Sequence, residues 1–362
     1  MDGRAPAGKR RGAISNRAGR FERFRVEALT DAAEIESALD RDWEPPPIRT
    51  TVTPEITRTI ITRNESPDIP FDRSINPYKG CEHGCVYCFA RPTHSYLGMS
   101  PGLDFETRIF SKPDAAAVLR EELRKPGYRC QIMALGSNTD PYQPAERELR
   151  ITRSVLDVLA EHNHPVGIVT KSTLVLRDLD LLADMAKRNL AGVMISITTL
   201  NGDLARRMEP RAASPARRLA TIRSLAEAGV PVGVLSSPMI PGLNDLELES
   251  ILRAASEAGA VSAGYTLLRL PLEIKDLFAE WLHEHYPLRA DHVLALVRST
   301  REGRLNDPEF GSRMRGSGAY AELLRRRFDV ARRRYRLDKG RAVLDTGQFR
   351  VPPRAGDQQA LF

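Results

Sequence analysis

Five short apolar runs along the middle of the chain constrain its fold more than any other feature. They read IMALGS (132–137), VGIVTKS (166–172), GVMISITT (192–199), PVGVLSSPMI (231–240) and AGYTLLRL (263–270). Each is mainly aliphatic and shows no polar alternation, the pattern of parallel strands buried on both faces. Amphipathic helical stretches lie between them. In SPARRLATIRSLAEAG, Ser214 fits the N-cap, Pro215 the first turn and Gly229 the exit. A second helix is expected from Asn244, leaving through Gly259. With a strand near SINPYKG ahead of them, the runs make about six βα units. Such units wind around an open sheet or curl into a barrel. No GxGxxG follows the first strand, which argues against a dinucleotide fold. The expected fold class is therefore α/β, a partial (β/α)6 TIM-type barrel with a helical C-terminal extension. Its chemistry should gather at the C-terminal ends of the strands.

Around that core, residues 1–25 read as a disordered basic tail, rich in Arg and Gly and nearly free of aliphatics. Residues 26–70 form an N-terminal extension, 71–290 the barrel, 291–340 a helical basic extension and 341–362 a flexible tail. The N-terminus lacks the apolar segment of a secretory signal, and no run of about 18 apolar residues spans a membrane. Four cysteines, three of them crowded together, do not make a disulfide framework, so a reduced, cytoplasmic protein is expected. The formal net charge of +7 concentrates in the N-terminal tail and the arginine runs of 318–340, so DNA or RNA is one candidate partner. On the helix GAYAELLRRRFDVARRRYRLDKG, however, Tyr320, Leu324, Phe328, Ala331 and Tyr335 share one stripe. A stripe of that kind normally packs on a core.

The crowded cysteines are Cys81, Cys85 and Cys88, in GCEHGCVYCFARPTH. Structural zinc takes four protein ligands, commonly from paired CxxC elements, and no second pair is present. His83, His94 or Cys130 are the candidates to complete a tetrahedron. A 4Fe–4S cluster also takes four cysteines as a rule. Three thiolates leave one coordination position open, as catalytic metal sites do.

A CxxxCxxC loop after the first strand of a (β/α) barrel, with Tyr87 just before the last cysteine, resembles the radical S-adenosylmethionine superfamily. The resemblance implies that Cys81, Cys85 and Cys88 hold three irons of a 4Fe–4S cluster. The fourth iron would chelate the amino and carboxylate groups of S-adenosylmethionine, whose reductive cleavage gives a 5′-deoxyadenosyl radical that abstracts hydrogen from a substrate. It also implies an electron donor of the flavodoxin or ferredoxin type. The longer string FDRSINPYKGCEHGCVYCFARPTH, with TDPYQPAE, TKS and EPRAASPARRL, looks like the spore photoproduct lyase-like branch over roughly residues 70–290. True photoproduct lyases repair a cross-linked thymine pair in DNA and carry a hydrogen-donating cysteine near the end of the second strand. Here that region reads ALGSNTD, so the resemblance is to the lyase's relatives, whose substrates the motifs do not specify.

Cofactor contacts are expected over the strand ends, those of Ser137, Asn138, Met239 and Ile240 from the resemblance and the others from the chemistry of the residues there. Ser137, Asn138 and Asp140 (with Glu146 as a further acceptor) would receive the amino group, although an Asx turn capping the next helix explains TDP equally well. Lys171 would neutralise the carboxylate, and Ser196 and Thr198 would meet the ribose. Arg218 would grip a carboxylate in a bidentate manner. Met239 or Ile240 would pack on the purine, against a plain Pro-Gly turn. A non-catalytic nucleic-acid-binding protein with zinc or an iron–sulfur centre is the alternative.

Overall fold

The computed structural model describes residues 11–22, 48–339 and 343–353. Ten strands are present among them: β1 (Thr51–Pro54), β2 (Ile61–Arg63), β3 (Arg73–Ile75), β4 (Tyr78–Lys79), β5 (Arg108–Ser111), β6 (Met133–Leu135), β7 (Val166–Thr170), β8 (Ala191–Ser196), β9 (Val232–Met239) and β10 (Ser262–Leu267). The main sheet has the order β10-β9-β8-β7-β6-β3-β2. From β3 to β10 every pairing is parallel, and spatial order follows chain order. A doubly wound sheet reverses direction partway. This one never does, so right-handed crossovers lay the helices on one face and the sheet curls around the other. It is the partial six-unit barrel the sequence predicts. β2 adds an antiparallel strand beside β3. Asp68, in the turn between β2 and β3, accepts from Gly311 N at 2.7 Å and Arg313 Nε at 2.5 Å, in the segment whose Met314 O accepts from Leu267 N of β10 at 2.9 Å.

Burial corrects one expectation about the strands. On β7, Val166, Ile168 and Thr170 are buried while Gly167 and Val169 are half-buried; on β8, Val193 and Ile195 are buried while Gly192 and Met194 are not fully covered. The buried set packs with helix residues such as Leu156, Leu182, Met185 and Ile222. The other face lines a partly open interior, where Ala134, Gly167 and Gly192 stand in register on three adjacent strands.

The strand expected at SINPYKG is also shorter than predicted. β3 stops at Ile75 because Pro77 has no N–H to give a ladder. Tyr78–Lys79 pairs instead with β5, in a separate sheet of order β1-β5-β4. The helix predicted from Asn244 opens with a 3-10 turn, Asp245–Glu247, and becomes α-helical over Leu248–Glu257. Asn244 does not cap it. Its side chain accepts from Ile240 N at 2.6 Å and donates to Thr198 O at 2.8 Å and Pro238 O at 3.0 Å.

The C-terminal extension holds two helices, Ala290–Ser299 and Gly318–Arg334. In the second, Leu324, Phe328 and Ala331 are buried, and the Phe328 ring lies 4.6 Å from Tyr265 of β10. The stripe is core. Several of its flanking arginines are paired: Arg327 with Glu249 at 2.7 Å, and Arg325 and Arg326 with Glu322. Both predicted tails contain packed stretches. Residues 343–353 cover the far end of the sheet, where Phe349 sits 5.3 Å from Tyr128 and 5.6 Å from His164. Residues 11–22 lie against the cysteine loop. The remainder of both tails, and residues 26–47 of the N-terminal extension, fall outside the described residues. Among the described residues no helix is long and apolar enough to cross a membrane.

Candidate active site

The cysteine loop starts where β4 ends. Gly80 turns the chain with φ +78°, and a Cβ there would stand 2.9 Å from both His94 Cε1 and Phe105 O, so only glycine fits. Gly84 N then bonds Cys81 O at 3.3 Å, Cys88 N bonds Cys85 O at 3.2 Å and Arg91 N bonds Cys88 O at 3.1 Å. Cys81 N to Phe105 O (2.9 Å) and Val86 N to Met208 O (3.0 Å) tie the loop to its neighbours. All three cysteines are free thiols; Cys81 and Cys85 are buried and Cys88 is half-buried.

This donor set suits a metal centre. Burial pushes the Cys81 thiol well above its usual range, with Asp140 and the other two cysteines adding to it. Burial, then Glu209, pushes Cys85 up to about 12, and burial raises Cys88 as well. Three thiolates here require a strongly positive partner, which a metal centre supplies. A lone tetrahedral ion fits less well. Such an ion holds its sulfurs about 2.3 Å from itself, and among the described residues no three His, Cys, Asp or Glu side chains converge in that way. Each histidine considered as a fourth ligand has one ring nitrogen held by the protein: His83 Nδ1 lies 3.3 Å from Asp140 Oδ2, and His94 Nε2 bonds Arg108 O at 2.9 Å while its Nδ1 is buried without a partner among the described residues.

Four acid–base pairs frame the loop, each with one partner in or bonded to it. Arg91 meets Glu106 at 2.5 Å, and both are fully buried. Glu82 meets Arg211 at 3.0 Å, His83 meets Asp140, and Glu209 accepts from Arg218 while also taking the Tyr87 hydroxyl. Burial alone would raise the Glu209 carboxyl, but Arg218, then Lys171 and the Thr198 and Tyr87 hydroxyls, hold it at about 2. Asp140 is likewise held at about 2 against burial, by His83, the Lys171 N–H and the Thr170 hydroxyl.

The structure sorts the predicted contact residues into two groups. Ser137, Asn138, Lys171 and Ser196 follow or end β6, β7 and β8 on the side of the sheet that carries the cysteines. Asn138 N is held by Asn76 Oδ1 at 3.1 Å, but neither its side chain nor those of Ser137 and Ser196 hydrogen-bond within the described residues. Lys171 Nζ stands 5.8 Å over the Tyr87 ring and has no ion pair among the described residues.

The second group is committed to the protein itself. Asp140 accepts from Tyr142 N (2.9 Å), Thr170 Oγ1 (2.7 Å) and Lys171 N (2.9 Å) besides His83. A carboxylate offers about four such sites, so Asp140 closes the Asx turn and ties β7 to the cysteine loop. Glu146 is buried on Tyr78 and Arg177. Thr198 gives its hydroxyl to Glu209 at 2.5 Å. Arg218 donates to Ala213 O (2.7 Å), Ser196 O (3.0 Å) and Glu209, so it orients a carboxylate of the chain and not one of a ligand. Met239 and Ile240 have no exposed surface to offer a purine. Ile240 packs with Phe278, Trp281 and Val293 of the helices that follow the barrel.

Glu106, Arg91 and the segment Arg11–Ala13 escaped the sequence reading. A glutamate inside LDFETRIF was the available signal for the first; nothing marked the others.

The Radical SAM superfamily profile matches residues 75–255. Uncharacterised proteins of Mycobacterium tuberculosis and Mycobacterium bovis are 36% identical over 291 residues, 79% of this chain and 82% of theirs. An uncharacterised protein of Methanocaldococcus jannaschii is 28% identical over 59% of this chain and 76% of its own. Among solved structures, spore photoproduct lyase complexed with dinucleoside spore photoproduct superposes with a TM-score of 0.56 at 17% identity, covering 86% of this chain and 84% of that one. A doubly substituted form of that lyase, with bound AdoMet and the same photoproduct, gives 0.55 at 16% identity, covering 78% and 79%. The lyase shares the fold. With the cysteine loop at the head of a six-unit barrel and the superfamily profile spanning half its length, the chain belongs to the Radical SAM superfamily.

Proposed function

We propose that the protein is an enzyme that binds S-adenosylmethionine at a 4Fe–4S cluster and uses it for hydrogen abstraction. The observation that supports this best is the trio of free thiols in one loop, two of them buried and the third half-buried, with no second cysteine pair to close a tetrahedron. A solved neighbour of the same fold holds AdoMet. Cys81, Cys85 and Cys88 would hold the cluster, which supplies the electron that cleaves the sulfonium to methionine and a 5′-deoxyadenosyl radical. The chain's own residues bind and orient. Ser137 and Asn138 offer acceptors for the cofactor's amino group, Lys171 a cation for its carboxylate and Ser196 a hydroxyl for the ribose. Glu209 and Arg218 fix Tyr87 and the end of β8 from behind. The electron would come from a small flavodoxin- or ferredoxin-type carrier. DNA or RNA is a candidate substrate on charge alone; of the arginines that suggest it, Arg325 and Arg326 pair with Glu322 and Arg327 with Glu249.

Lys171→Ala tests the assignment of the cofactor site. A charge-assisted hydrogen bond contributes about 1.5–3 kcal/mol, so KM for S-adenosylmethionine should rise about 10- to 100-fold with iron content unchanged. The proposal as a whole is tested by assaying 5′-deoxyadenosine after anaerobic reconstitution and reduction. Its appearance only with cofactor, reductant and iron together is the expected result; none under any condition contradicts the reading.

A further inference from the structure

We propose that residues Arg11–Glu22 form a strap that shields the cysteine loop, with Gly12 and Ala13 as the positioning residues that lock it in place. The shielding role rests on the cluster reading above; the strap's hold on the cysteine loop does not.

Both N–H groups of Gly12 and Ala13 point at one buried carboxylate. Gly12 N lies 2.9 Å from Glu106 Oε2 and Ala13 N 2.8 Å from Glu106 Oε1. The same carboxylate receives Arg91 Nη2, and Arg91 reaches on to Gly84 O at 3.1 Å and Cys85 O at 2.8 Å. Strap backbone, carboxylate, guanidinium and cysteine loop are thus one continuous hydrogen-bonded chain. Arg11 adds a bond to Glu106 O at 3.0 Å and another to Ile48 O at 2.8 Å.

Contact between strap and loop is as close as backbone allows. A Cβ on Gly12 would fall 1.6 Å from Gly84 O, and one on Gly84 would fall 2.6 Å from Glu106 Oε2. Gly84 sits between Cys81 and Cys85, at φ +67°. Two facing glycines are what let the strap lie on the loop, in which Cys81 and Cys85 are only 7% and 8% exposed. Further along, Ser15 Oγ meets Glu280 Oε2 at 2.6 Å, Arg17 pairs with Glu280 at 3.1 Å and Arg20 with Glu273 at 2.7 Å. The strap therefore bridges the loop to the helix Ile274–His285.

Gly12→Val in the full-length chain, and a truncation lacking residues 1–22, test this. In metal-free protein, the rate of Cys81 and Cys85 alkylation by iodoacetamide, read by mass spectrometry, should rise at least about tenfold in each folded variant, because access follows local opening. Ser15→Ala, which keeps the Glu106 anchor, should alkylate as the wild type does. In reconstituted protein, the visible iron–sulfur absorbance of either variant should bleach in air faster by a similar factor. Wild-type alkylation rates in both variants overturn the strap. Faster alkylation with unchanged bleaching overturns shielding alone, and absence of any chromophore in the wild type overturns the cluster reading while the alkylation result still decides the strap.

Discussion

Alanine at Cys81, Cys85 or Cys88 should each reduce 5′-deoxyadenosine formation by on the order of a thousandfold or more, and combining all three should cost hardly more than one. The non-additivity follows from geometry. One loop presents the three thiols, its ends fixed by Gly80 and the Arg91–Glu106 pair, so two remaining ligands keep the spacing but not the count. Stability should respond differently. A free buried cysteine packs as a small hydrophobe, so the metal-free variants should melt within a few degrees of the wild type. Iron per chain after reconstitution, measured beside the metal-free melting temperature, separates loss of the ligand from loss of the fold. Full iron loading in the Cys85→Ala protein would show that the loop is not the ligand set.

Glu209→Ala should destabilise the metal-free protein by about 3–5 kcal/mol, because it leaves the buried Arg218 guanidinium without its carboxylate. Removing both partners should cost less than the sum of the single losses, which a double-mutant cycle with Arg218→Ala measures. The pH dependence carries a definite sign. Glu209 is held at about 2, below the 4.5 of an unperturbed glutamate, so the folded state binds fewer protons than the unfolded one between those values. Its contribution is complete above about 4.5 and is lost as pH falls toward 2. The acid limb of the stability curve should therefore flatten in Glu209→Ala, and denaturant melts from pH 6 downward would show it. A melting temperature unchanged from the wild type would mean that the Tyr87–Thr198–Arg218 network does not depend on this carboxylate.

How much of this was written locally in the chain differs by element. The barrel was legible because each βα unit carries its own apolar run and its own stop signals, as with Pro215 and Gly229 around one helix. The cysteines were legible because their spacing is a local property. Roles at the strand ends were not, since a hydroxyl or carboxylate there can face a ligand or a neighbouring element. For Asp140 that choice is made by Thr170 and His83, some thirty and fifty-seven residues away in sequence. The burial of Ile240 is not legible locally, because the helices that cover it, around Phe278 and Val293, come after the barrel and carry no sign of where they dock. Composition misled at the N-terminus. Residues 11–22 are polar and basic, yet they are ordered through backbone N–H groups and ion pairs to Glu106, Glu273 and Glu280, which no hydropathy pattern reports.

The most direct measurement is the electron paramagnetic resonance spectrum of anaerobically reconstituted, reduced protein, recorded before and after S-adenosylmethionine is added. The account predicts about four irons per chain and a reduced-cluster signal whose g-values move when the cofactor arrives, because one iron lacks a protein ligand. A signal indifferent to the cofactor, or a protein that retains zinc and takes up no iron, would contradict it.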